Sequence, residues 1–68
     1  MKTIDARGLS CPQPVLLTKQ ALAGQPDALT VLVDAPAARG NVQRFAVNSG
    51  YQVTVSEENG EYALLLKK

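Results

Sequence analysis

The chain has 68 residues, 46% hydrophobic and 19% charged, the composition of one small globular domain rather than a disordered segment. Seven Lys and Arg against six Asp and Glu leave a net charge of +1, which lacks the electrostatic footprint of a general nucleic-acid binder. One Cys and no His exclude an intramolecular disulfide, a Cys/His zinc site and any dyad or triad built on histidine.

The first segment, Thr3-Ile4-Asp5-Ala6, reads as a short edge strand, and Arg7 to Ser10 as a loop that takes its freedom from Gly8. Asp5 stands too early for a signal peptide, and no apolar run approaches the ~18 residues needed to span a bilayer. An unpaired Cys without an export signal points to a reducing, cytoplasmic setting.

After Cys11-Pro12-Gln13-Pro14 comes a run from Val15 to Ala23 free of Gly and Pro. On a 3.6-residue period Val15, Leu17, Thr18, Ala21 and Leu22 share one side, and Leu16, Lys19, Gln20 and Ala23 the other. Gly24 and Pro26 predict the helix end. Leu29 to Val33 is nearly continuously apolar and rich in β-branched residues, as an interior parallel strand is, and Asp34-Ala35-Pro36 ends it. Ala38, Val42, Phe45, Ala46 and Ser49 then give an amphipathic helix closed by Gly50. Either Pro36 is its first residue or Asn41 caps a shorter helix.

Tyr51 to Ser56 alternates as a strand with one dry face, Asn59-Gly60 is a strong hairpin signal, and Glu61 to Lys67 returns. The order βαβαββ fits an α+β two-layer sandwich, with two helices on one face of a mixed four-stranded sheet. Thr30, Leu32, Ala63 and Leu65 are candidates for the uncovered face, where an apolar patch would suggest a partner or a second copy. Such a face also suits a non-catalytic interaction or regulatory domain. Phe45, Tyr51, Val53 and Val55 are expected in the core, and removal of the Phe45 side chain is expected to cost ~3–5 kcal/mol.

Cys11 is the residue that packing explains least. Pro12 suits the first helical position, and a residue before proline is pushed toward the extended angles of an N-cap. Cys11 is therefore expected beside the free amides of the first turn, with Gln13 and Val15 as donors; Ser10 is the alternative cap. A thiolate there is favoured by the helix N-terminus, and Arg7 could add to this if it turned inward. Without His, a second Cys or a metal, the thiol lacks the parts of a protease nucleophile or a dithiol oxidoreductase. A carrier needs none of them, because its partners can supply acid, base or cofactor, and the chain is expected to hold no cofactor itself.

Asp5-Ala6-Arg7-Gly8-Leu9-Ser10-Cys11-Pro12-Gln13-Pro14 resembles the Asp-x-x-Gly-x-x-Cys-Pro-x-Pro signature of the TusA/SirA family of small sulfur carriers. The resemblance implies strand order 1-2-4-3 and a persulfide on Cys11, taken from a cysteine desulfurase or other sulfur donor and relayed to an acceptor protein. It implies supporting roles for Asp5, Arg7, Gly8, Pro12, Gln13 and Pro14. The stretches Val33-Asp34, Ala37 to Ala46 and Gly50 to Val53 are similar to the N-terminal domain of YedF-type proteins, where a DsrE-like domain often follows and a link to selenium metabolism is inferred. Residues 1–68 would then be the front domain of a longer protein. Ala35 and Asn41 stand where such carriers usually have acidic residues, and Ser10 where a basic one often precedes the cysteine. Asp5 is expected to hold the loop by accepting backbone amides, Asp34 to cap the second helix region, and Leu16 and Lys19 to meet partners.

Overall fold

A computed structural model describes residues 2–9 and 13–68, so the expectations for Ser10, Cys11 and Pro12 lie outside the described residues. The elements are β1 (Lys2–Asp5), α1 (Gln13–Leu22), β2 (Ala28–Val33), α2 (Pro36–Asn48), β3 (Gln52–Glu58) and β4 (Glu61–Lys67). They form an α+β sandwich with sheet order β1-β2-β4-β3. β1 runs parallel to β2, while β4 is antiparallel to both β2 and β3.

Period-two alternation sorts the sheet into a dry and a wet face. One row across the dry face reads Ile4–Val31–Leu64–Val55, and Leu29–Leu66–Val53 runs beside it. Leu29, Val31, Val33, Leu64 and Leu66 are fully buried there. Both helices cover this face. α1 buries Pro14, Thr18 and Leu22, and α2 buries Ala38, Val42 and Ala46 at a spacing of four. Two alanines in that stripe let α2 lie close to the strands beneath it. On the opposite face the rows read Thr3–Thr30–Leu65–Thr54 and Asp5–Leu32–Ala63–Ser56. Each aliphatic there has polar neighbours, and the exposed large hydrophobics among the described residues, Leu9, Leu16 and Val47, lie outside the sheet. No helix of the described residues is long and apolar enough to cross a membrane.

Several local expectations are corrected. Gln13 is helical although Pro14 follows it, and the expected start of α1 at Pro12 lies outside the described residues. Its exit is made by Gln25, which takes the left-handed φ of +52° expected of Gly24 and donates to the Leu22 carbonyl at 2.9 Å. Right-handed helical angles are disfavoured at Gln25 by the ring of Pro26, so the reversal falls one residue later than glycine placement predicts. α2 starts at Pro36, with Ala35 extended (φ −131°, ψ 138°) as an N-cap that makes no side-chain hydrogen bond. Proline sets the first helical φ and holds its predecessor extended, so neither Asp34 nor Asn41 caps this helix.

The helix ends at an exposed Ser49, which is a cap residue rather than part of the buried stripe. Gly50 (φ +90°) donates to Val47 and Tyr51 to Ala46, both at 3.0 Å, closing the last turn in a Schellman motif. Tyr51 is buried and its hydroxyl donates to the Pro26 carbonyl at 2.9 Å, joining the two chain reversals. Phe45 is only half-buried, at the rim of a groove shared with Lys19, Leu22 and Tyr51, so its removal costs less than full burial implied. Val53 and Val55 are likewise half-covered on the edge strand β3.

Candidate functional site

The signature segment leaves the sheet at the carboxyl end of β1, beside the end of β2. There each backbone amide from residue 6 to residue 9 has a named acceptor. Ala6 donates to the Leu32 carbonyl at 2.8 Å, extending the β1–β2 ladder, and its methyl is buried. Arg7 donates to Asp5 Oδ1 at 3.1 Å, an Asx turn in which the short carboxylate caps the amide two residues on. Gly8, at φ +79°, donates to Asp34 Oδ2 at 2.9 Å. Leu9 closes the turn on the Ala6 carbonyl at 3.4 Å. The two carboxylates that hold this loop thus sit just at, and just past, the ends of adjacent parallel strands.

Asp5 takes the role expected of it, holding backbone, and it also grips the Arg7 side chain. Arg7 Nε reaches Asp5 Oδ1 and Nη2 reaches Oδ2, both at 2.9 Å, a bidentate pair. Nη1 extends to Glu61 Oε1 on β4 at 3.2 Å. The Arg7 side chain and backbone amide hold the Asp5 carboxyl well below the usual carboxylate range, at about 2. The same contacts with Asp5, and then with Glu61, push the guanidinium pKa up. Arg7 is therefore committed to two carboxylates, Asp5 at the end of β1 and Glu61 at the start of β4, and with Asp34 near the same loop the local balance is acidic. It is not the surplus positive charge that the sequence allowed it to be.

On the far side of Cys11, α1 opens with an exposed Gln13 and a buried Pro14, whose carbonyl accepts from the buried Thr18 hydroxyl at 2.9 Å. That bond satisfies a polar atom under the helix and anchors its first turn against the core. Leu16, 43% exposed, lies one turn into the helix. Lys19 is exposed as expected, yet six residues from Gln13 is ~9 Å along the axis. It also lines the groove with Phe45, Ser49 and Tyr51, while standing three residues after Leu16 on the same side of α1. Leu9, 38% exposed, lies within the signature two residues before Cys11 in sequence and was not among the predicted contacts. Asp34 and Glu61 were also missed in these roles. Their pairing depends on strand register across separations of 26 and 54 residues, for which the sequence carries no local signal. Cys11 and Pro12 lie outside the described residues. Among the described residues no group of His, Cys, Asp and Glu side chains could hold a metal ion.

Comparison with known proteins agrees with this fold. The family model described as sulfurtransferase TusA matches residues 2–68. A candidate sulfur carrier protein of Methanocaldococcus jannaschii is 41% identical, over 100% of this chain and 95% of its own length. The sulfur carrier protein TusA of Pseudomonas fluorescens is 32% identical, over 97% of this chain and 83% of its own. The crystal structure of a SirA-like protein from Desulfitobacterium hafniense superposes with a TM-score of 0.89 at 39% identity, covering 98% of this chain and 96% of that one. With a family model over residues 2–68, relatives matched over nearly their whole length and a shared fold, the chain belongs to the TusA family of sulfur carriers.

Proposed function

We propose that this chain accepts a sulfur atom as a persulfide on Cys11 and relays it to a second protein. The observation that carries the reading is the Asp5-to-Pro14 signature in a chain of this family, its entry loop fixed amide by amide. In the loading step the Cys11 thiolate attacks the terminal sulfur of a donor persulfide. The new S–S bond forms as the donor's S–S bond breaks, the donor cysteine leaves as a thiolate, and no external oxidant or reductant is consumed. Unloading reverses these roles with the acceptor. A cysteine desulfurase is the donor that fits this chemistry, and the same exchange would serve selenium or an appended DsrE-like domain in a YedF-type arrangement.

An ordinary thiol near pKa ~8.5 is only a few per cent ionised at neutral pH. α1 begins two residues after Cys11, and a helix N-terminus contributes ~0.3–1 kcal/mol to a nearby anion, equivalent to ~0.2–0.7 of a pKa unit. Asp5, Asp34 and Glu61 oppose that effect and Arg7 is already paired, so the thiol's pKa is expected to be lowered only modestly. Partner proteins must then complete the activation. The test is to incubate the chain with a cysteine desulfurase and cysteine and to weigh it. A gain of one sulfur mass that disappears on reduction and is absent in Cys11→Ser is expected. No gain, or a gain that survives the substitution, refutes the reading.

A further inference from the structure

We propose that Asp34 is a positioning residue for Cys11, acting through the amide of Gly8. The inference rests on the reading of Cys11 as the sulfur-bearing residue, and it assigns Asp34 a role other than the helix cap its place before Pro36 suggests. Asp34 follows the last residue of β2, a central strand whose Leu29, Val31 and Val33 are fully buried, so the carboxylate is mounted at the end of a well-packed strand. Its Oδ2 accepts from Gly8, 26 residues earlier and three before Cys11. No other described contact ties the far side of this loop to β2: Arg7 and Leu9 are satisfied from within their own segment. Gly8 holds φ +79°, a conformation in which its amide turns toward β2 rather than continuing the β1 ladder. An ordinary solvated carboxylate would have no reason to meet that one amide. Fixing it limits the directions in which the chain can leave toward Cys11, and so the directions from which the sulfur can attack.

The exposed bond competes with water, so its effect is modest and must be separated from that of charge. Asp34→Asn keeps an oxygen for the Gly8 amide and loses the charge; Asp34→Ala loses both. Removing the charge should favour the thiolate equally in the two variants, leaving the hydrogen bond as the difference. The measurement is the alkylation of Cys11 by iodoacetamide across pH, extrapolated to the fully ionised thiol, with amide exchange at Gly8 as a direct readout of the clamp. Asp34→Ala should react about three- to tenfold more slowly than Asp34→Asn, as loss of one neutral hydrogen bond allows, with Asp34→Asn within about twofold of the parent. Gly8 exchange should speed up only in Asp34→Ala. Equal limiting rates in the two variants, or Gly8 exchange unchanged by Asp34→Ala, would overturn the proposal. These readouts need no sulfur donor. A parent chain that fails to load from a desulfurase therefore sinks the relay alone, and equal alkylation rates sink the clamp alone.

Discussion

One glycine inside α2 and one just past its end allow one substitution to be tested with opposite expected signs. Gly40 is the fifth residue of a thirteen-residue helix, and a Cβ built there meets nothing within 4 Å. Gly50, just past the same helix, has equally open surroundings but holds φ +90°. Space is thus not the variable; backbone conformation is. In a helix interior alanine is favoured over glycine by ~0.8–1.0 kcal/mol, so Gly40→Ala should stabilise by about that much. In the left-handed region a Cβ crowds its own carbonyl at ~1–2 kcal/mol, partly offset by ~0.4–1 kcal/mol from a less flexible unfolded chain. Gly50→Ala should therefore lose about 1 kcal/mol. With a urea m-value of ~1 kcal/mol/M for so small a domain, the unfolding midpoints should move about 1 M up and about 1 M down respectively. The double variant should return near the parent, because the sites share no partners. A Gly50→Ala chain as stable as the parent, or a Gly40→Ala chain less stable than it, would refute the reasoning from φ.

Leu64 stands mid-sheet between Val31 and Val55 and is fully buried, so Leu64→Ala should cost ~2–5 kcal/mol. A domain of this size holds only ~3–10 kcal/mol in all, so thermal unfolding should fall close to room temperature; a loss under ~1.5 kcal/mol would contradict the packing. The depressed Asp5 carboxyl fixes the sign of an acid response: its contribution is complete above the ordinary carboxylate pKa near ~3.9 and is lost as pH falls toward about 2. Asp5→Asn should flatten the stability profile across that window, and carboxyl titration by NMR should place Asp5 near its lower end; an ordinary midpoint would show the Arg7 pair to be broken in solution.

Much of the fold was legible because its signals are local. Asn59 and Gly60 take φ of +53° and +80°, as the hairpin dipeptide requires, and β4 spans the residues its alternation marks. The stripe Ala38–Val42–Ala46 needed only helical periodicity. What the sequence concealed depends on geometry between distant segments. Strand order 1-2-4-3 places β4 beside β2, but Arg7 could not be assigned to Glu61 without the register of β4 on β2, nor Asp34 to Gly8 without that of β1 on β2. Gln25 was hidden for another reason, two competing local preferences: Gly24 offers the freedom to reverse, but Pro26 determines which residue uses it. The expected place of Cys11 at the head of α1 lies outside the described residues, so the site is known from the loop before the thiol and the helix after it.

The relay claim is tested most directly by a single-turnover chase. The chain is loaded with radiolabelled sulfur by a desulfurase, separated from it, and mixed with candidate acceptor proteins. The account predicts one label per chain, held on Cys11, lost to a reductant and passed intact to an acceptor thiol. Label that stays bound under every acceptor and reductant, or that loads equally well onto Cys11→Ser, would contradict it.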